Sequence, residues 1–336
     1  MVSRYKNVGK TDFSVRLLLT ANGKPGARAR IIAKACHAIY PRSLFVDSGA
    51  FIIRSAYYKH DKLPTVAEAT EVVRSHFGSC LWLHEQGFPL KAVAELDLPD
   101  IYGQEVIDDW RDNYALPFQD QTGIPVVFAW HGTESVWSLL SEEWCHYLGV
   151  SMAYSKKLIK EQWGTQEAYY TEMKDLALEC YHNDVRIHGY AVTRTSALKA
   201  VPFYSVDSVS WQQALHFGGA LAFDRTRGEL VRVDLGRGFV QRKGWTAAAK
   251  NLSKLQRHGC RLSLLDITGR KDADGKRKIN NVAIFLDQAK VFADMESWFT
   301  AYWRNKGINW AEQLGEGEDN WNPRHAVVAP PRRRVR

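Results

Sequence analysis

Along residues 13–208, short apolar runs rich in β-branched and aromatic residues alternate with longer stretches of helical period. The runs FSVRLLLTA (13–21), RSLFVDS (42–48), KAVAELD (91–97) and IPVVFAWHG (124–132) predict strands. So do YLGVS (147–151), VRIHGYAV (185–192) and FYSVDS (203–208). Residues 63–87 predict a helix, started by Pro64 and a capping box in which Thr65 faces Glu68. Residues 135–144 and about 155–180 read as helices, and a short helix separates the last two strands. Strand and helix in this rhythm imply a parallel sheet. Seven strands at this spacing fit a (β/α)8 TIM-type barrel better than an open sheet.

From about residue 219 the rhythm breaks. ALAFDRTRGELVRVDLG predicts a β-hairpin with its turn at Arg227-Gly228. A basic helix follows over 242–259, then a charged loop over 269–278 and an amphipathic aromatic helix over 287–305. The expected organisation is a barrel core over 1–218 and an inserted hairpin with a C-terminal helical extension over 219–314. The tail 315–336, rich in Gly, Pro and charge, is expected to be mobile. No internal repeat is visible.

Composition narrows the class of partner. The chain of 336 residues carries a net charge of +8, with a pI of about 9.1. A positive balance of this size favours a polyanion such as nucleic acid. Aromatic residues make up 12% of the chain, and the twelve tryptophans suit either stacking surfaces or a large aromatic core. Cysteines stand alone at 36, 80, 145, 180 and 260, with no C-x-x-C pair. This argues for a reducing compartment and against a zinc ribbon. The N-terminus lacks an apolar signal region, and no run is long enough to span a membrane. The expected location is the cytoplasm, and the expected site has neither metal nor cofactor.

Three strand candidates end in aspartate: Asp47, Asp97 and Asp207. In a barrel the C-terminal strand ends share one rim, where carboxylates can divide nucleophile and acid/base roles. Aspartate is also a preferred helix N-cap in such loops, and spacing alone leaves both readings open. Gly49 and Gly149 suggest close approach of backbone to a ligand, or a bulge. His131, followed by Gly132, ends the fourth strand, facing a ligand or satisfied at the core edge.

These residues resemble a family. VDSGAF (46–51) is similar to the Asp-Ser-Gly-Gly-aromatic motif of the tRNA-guanine transglycosylases. AELD, FAWHG, YLGVS, IHGYAV and FYSVDS then follow in the order of that family's remaining motifs, and a hairpin follows where the family has one. The resemblance covers about residues 40–235. Two features depart from it. No cysteine pattern supplies the family's zinc site, and VSW (209–211) replaces the Pro-Thr-Arg after the nucleophile. The wording is closest to the phage and genomic-island branch that inserts 7-deazaguanines into DNA.

The resemblance implies guanine exchange without cutting the backbone. Asp207 would attack the sugar C1′ and form a covalent glycosyl-enzyme, with Asp47 as acid/base. Asp97 would read the purine N1-H and amino group. Phe51 and Tyr190 would sandwich the ring, with Ser48 and Gly49 close beside it. His131 replaces a family glutamine, and backbone near Gly132 and Gly149 would read the O6 or 7-substituent edge. The incoming base would be a 7-deazaguanine such as 7-cyano-7-deazaguanine. The polymer would be DNA, with tRNA as the alternative, and the base must leave its stack. Arg225, Arg227, Arg242 and Lys243, with Trp245, are candidates for holding phosphates. The arginines of 332–336 could add salt-sensitive affinity. Competing readings are a zinc-less tRNA transglycosylase, a barrel glycoside hydrolase using Asp47 and Asp207, and a non-catalytic nucleic-acid-binding subunit.

Overall fold

The computed structural model describes residues 16–20, 33, 43–60, 63–130, 136–151, 156–192, 194–207, 219–235, 237–260, 262–264, 268–271, 277–279 and 281–315. The expected features at His131, Gly132, 209–211 and the tail beyond 315 lie outside them.

Two compact units divide the chain. Among the described residues, the first holds those up to Val150 together with Asp184–His188, and the second those of Ser151–Asn183 and Gly189–Gly315.

The first unit opens with β1 (Arg16–Thr20) and β2 (Ser43–Asp47). Helix α1 (Ala50–His60) follows β2 directly, and α2 (Val66–Glu85) carries the expected cap. Glu68 N donates to Thr65 Oγ1, and Thr65 N donates to the Glu68 carboxylate at 2.8 Å. After β3 (Leu90–Ala94) come the short helices α3 (Pro99–Tyr102), α4 (Gln104–Trp110) and α5 (Leu116–Thr122). A π-helical turn, Arg111–Ala115, joins the last two. β4 (Val126–Trp130), α6 (Val136–Leu140) and β5 (Tyr147–Ser151) complete this stretch.

The chain then forms α7 (Lys156–Trp163) and α8 (Gln166–His182). The long helix expected over 155–180 is therefore two. Gly164 takes φ +74° between them, and Thr165 caps the second by accepting from Ala168 N. β6 (Arg186–Tyr190) passes from the first unit into the second, followed by α9 (Thr195–Ala200) and β7 (Ser205–Val206).

The sheet runs in sequential order, and the pairs from β1 to β5 are parallel. Its strands curl into a half-barrel. The curl is visible in ring contacts inside the first unit. Phe45 of β2 meets His188 of β6 edge-on at 4.9 Å, and Tyr147 of β5 at 6.5 Å. In a flat sheet, β2 and β6 would stand about 19 Å apart. A closed eight-stranded barrel is not formed by the described residues, whose sheet has seven strands.

The second unit continues with the expected hairpin, β8 (Gly219–Asp224) and β9 (Glu229–Asp234). Its turn spans 225–228, and Asp224 Oδ1 accepts from Thr226 N and Arg227 N. Gly228 closes it at φ +63°, where a Cβ would fall on the Trp298 ring. Helix α10 (Arg237–Gln256) is interrupted at Gly244. A small pair, β10 (Thr268–Lys271) and β11 (Arg277–Ile279), precedes α11 (Asn281–Arg304) and α12 (Trp310–Gln313).

Strand alternation lets the hairpin serve two cores. Ala220, Ala222 and Val233 pack with Ala248, Leu252 and Leu255 of α10. Leu221 and Phe223 pack on the other side with Leu198 of α9 and Val291, Met295 and Phe299 of α11. Gln288 seals the β8 edge. Its amide oxygen accepts from Leu221 N at 3.0 Å, and its nitrogen donates to Leu221 O at 3.1 Å.

Candidate functional site

Asp47 is the last residue of β2, two positions beyond Phe45, so it shares the concave face with that ring. Register assigns the neighbouring strands. Phe45 pairs with Ala92, Ala94 with Val127, and Ala129 with Gly149. Partners in parallel register share a face, so Ala92, Ala94, Val127, Ala129, Tyr147 and Gly149 join Phe45 and Asp47 on the concave side. The opposite face carries Val93, Val126, Phe128, Trp130, Leu148 and Val150, all buried. Towards the strand ends the concave wall carries the small residues Ala94, Ala129 and Gly149, with Val127 and the Tyr147 ring nearer the strand starts. A planar ring can lie against those small residues without displacing side chains.

Ser48 and Gly49 are buried immediately after Asp47. Gly49 holds φ +82°, a left-handed turn that starts α1, and its carbonyl accepts from Ile52 N at 2.9 Å. Phe51, in the first turn of α1, is 78% exposed. Arg54 ties α1 to the start of α3 through Asp100 at 2.7 Å.

Asp97 does not end its strand. β3 stops at Ala94, and Asp97 lies half-buried in the loop beyond. The physical reason is Glu95. Its buried carboxylate accepts from Ala129 N at 2.8 Å and receives Nε and Nη2 of Arg111, each at 2.8 Å. A side chain thus takes over a backbone partner that strand pairing would otherwise supply. Nor does Asp97 cap the next helix, whose N-cap is Leu98 with no side-chain bond. Glu95 and Arg111 are the residues sequence reading missed. Glu95 was visible inside AELD, but Arg111 becomes its partner only through the π-helical turn it begins.

In the second unit, Asp207 follows β7 directly. Asp207 N donates to Gly189 O at 3.2 Å, and Asp207 Oδ1 accepts from Ala191 N at 2.7 Å. Ala191 holds φ +58°, one of two non-glycine residues with positive φ among those described. Such a conformation costs about 1–2 kcal/mol for an L-residue. Gly189 is packed so closely that a Cβ would lie 2.7 Å from Val192 Cγ2 and 3.1 Å from the Phe203 ring. Trp310 supports the approach to β7, its indole donating to Pro202 O at 3.0 Å. Tyr190 is half-buried and shares the strand face of His188.

Asp47, Asp97 and Gly149 belong to the first unit, Tyr190 and Asp207 to the second. Arg225 and Arg227 stand exposed on the hairpin turn, and Arg225 pairs with Asp294 at 2.9 Å. Arg242 and Lys243 are exposed on α10, while Trp245 packs half-buried against the Ala248–Leu252 cluster. Among the described residues, no group of three His, Cys, Asp or Glu side chains is placed to hold a metal ion. No described helix is long and apolar enough to cross a membrane. Burial pushes the Cys145 and Cys260 thiols up to about 12, which leaves them poor nucleophiles.

Compared with protein-family models, curated proteins and solved structures, the chain gives no match.

Proposed function

We propose that the protein exchanges guanine in nucleic acid, with DNA as the polymer, for a 7-deazaguanine base. The observation that carries this reading is Asp207. It sits immediately beyond a strand end, its carboxylate oriented by the N–H of a backbone-strained Ala191 at 2.7 Å. Strain of this kind persists where surrounding structure enforces it, and it concentrates at functional sites.

In the first step an oxygen of Asp207 attacks the sugar C1′. The C1′–N9 bond to guanine breaks, and Asp47 donates a proton to the departing base. The sugar is then held as an ester of Asp207, with the phosphodiester backbone uncut. In the second step N9 of the 7-deazaguanine attacks C1′, the ester bond breaks, and Asp47 takes the N9 proton. Two displacements retain the configuration at C1′, as in retaining glycosidases.

Asp97 accepts hydrogen bonds from the purine N1-H and amino group in this scheme. The small concave wall at Ala94, Ala129 and Gly149 supports the reading because it suits a flat purine. In this reading the exposed Phe51 stacks on one face of the purine and Tyr190 on the other. The net charge of +8 and the exposed Arg225, Arg227, Arg242 and Lys243 favour a phosphate-bearing substrate. In the same reading the sheet completes to a (β/α)8 barrel, no zinc or cofactor takes part, and the protein works in the cytoplasm.

The test is nucleoside mass spectrometry on DNA and tRNA from cells that express this chain together with a 7-deazaguanine supply. The expected result is a 7-deazaguanine deoxynucleoside in DNA. Modified tRNA alone would move the activity to the other polymer. Modification of neither would overturn the exchange reading.

A further inference from the structure

The face of α8 that carries Glu167, Tyr170 and Lys174 does not belong to any of the chemistry above. Positions separated by three, four and seven residues share one side of a helix. This side opens into a cavity of about 330 Å³, whose other walls come from Lys199 of α9 and from Trp303 and Lys306 at the end of α11. Three ammonium groups and one carboxylate line it. They come from positions up to 139 residues apart, from Glu167 to Lys306, so the fold alone gathers them.

Two of the three lysines are held in place. Lys199 Nζ donates to Arg227 O at 2.6 Å, and Tyr302 OH donates back to Lys199 O at 3.4 Å. Lys306 Nζ donates to Tyr302 OH at 2.7 Å and lies 4.3 Å from the centre of that ring and 5.0 Å from that of Trp303. Lys199 Nζ also faces the Glu229 carboxylate at 4.0 Å, a partner that an anion in the groove would share. An ammonium has three donors, so both lysines keep capacity for an anion. The Lys199 bond also joins the cavity to the hairpin turn that exposes Arg225 and Arg227. Trp298 fixes the same turn, its indole donating to Arg225 O at 2.8 Å. The result is a set of cations within one unit, Arg225, Arg227, Lys199, Lys174 and Lys306, of which Lys199 and Lys306 are held in place and Arg225 pairs with Asp294.

We infer that this set is a phosphodiester track: a groove that holds the sugar–phosphate backbone of the nucleic acid beside the exchanged nucleotide. The aromatic walls at Tyr170 and Trp303 suit packing against sugars, and the lysines supply the charge. The inference rests on the nucleic-acid reading proposed above and extends it to a surface with no catalytic residue.

The experiment measures binding of a fluorescent oligonucleotide by the full chain across a salt series. Lys174→Ala and Lys306→Ala should each weaken binding and reduce the slope of log K against log salt by about 0.7–0.9, the effect of one lost phosphate contact. Glu167→Gln removes the carboxylate and should tighten binding, a gain that misfolding cannot produce. If the wild-type chain binds and all three variants match it in affinity and slope, the track is overturned while the nucleic-acid reading stands. Complete displacement of the oligonucleotide by a mononucleotide at equal phosphate concentration would assign the groove to a small phosphorylated ligand instead. Absence of binding by the wild type would sink the nucleic-acid reading itself, and the track with it.

Discussion

The backbone N–H of Ala191 donates to Asp207 Oδ1 at 2.7 Å, and Ala191 holds φ +58° to do so. The geometry separates two substitutions at one position. Glycine accepts this φ freely, so Ala191→Gly should retain the fold and the exchange rate. Valine is β-branched and resists it. Ala191→Val should lose about 1–2 kcal/mol of stability and at least tenfold in exchange. Urea unfolding and initial rates on the same preparations check both.

Gly189 shares that turn. Its carbonyl accepts Asp207 N, and its Cα faces Val192 and Phe203 with no room for a methyl group. Gly189→Ala should therefore be destabilising by about 1–3 kcal/mol, the usual effect of overpacking. A urea midpoint equal to that of the wild type would show that the turn yields easily.

The Glu95–Arg111 pair lies buried beneath the β3–β4 end. Glu95→Ala leaves Arg111 Nε and Nη2 without their carboxylate, with only Asp108 still pairing Nη1 at 3.2 Å, and leaves Ala129 N without its acceptor. Removing one partner of such a pair costs about 3–5 kcal/mol. Replacing both, as Glu95→Leu with Arg111→Met, should recover most of the loss. A double-mutant cycle in urea measures the coupling.

The described cysteines are all buried. Burial is the main cause that raises the Cys145 thiol from 9.0 to about 12, with the Glu95 carboxylate adding to it. A raised folded value means the stabilising contribution is whole below about pH 9 and is lost as pH rises towards 12. Between those limits Cys145 should contribute a fall of about 1.4 kcal/mol per pH unit. Cys145→Ala should flatten the alkaline stability profile by that amount. Native-state alkylation at pH 8, read by peptide mapping, should leave Cys80, Cys145, Cys180 and Cys260 unmodified.

Much of this arrangement was legible in the chain. β5 matches its expected bounds, because the apolar run Tyr147–Val150 is preceded by His146 and closed by Ser151. The Thr65–Glu68 box and the hairpin follow from local rules and appear as expected. The end of β3 was not legible, because it depends on a side chain that replaces a backbone partner. The break at Gly164 was passed over because helical period continues on both sides of it. Helix α1 after Asp47 was missed, since AFIIRSAYYKH carries apolar residues around its whole circumference. The aspartates at 47 and 207 stood out in the sequence. The Ala191 turn that orients one of them did not, because nothing in the alanine itself signals a left-handed backbone.

Asp207 is proposed to form the glycosyl ester through which guanine is exchanged. The most direct measurement is incorporation of radiolabelled guanine into DNA and tRNA by the wild type and by Asp207→Ala, with both shown folded by circular dichroism. Incorporation into DNA by the wild type and none by Asp207→Ala is the expected result. Equal incorporation by the variant, or none by the wild type into either polymer, would contradict it.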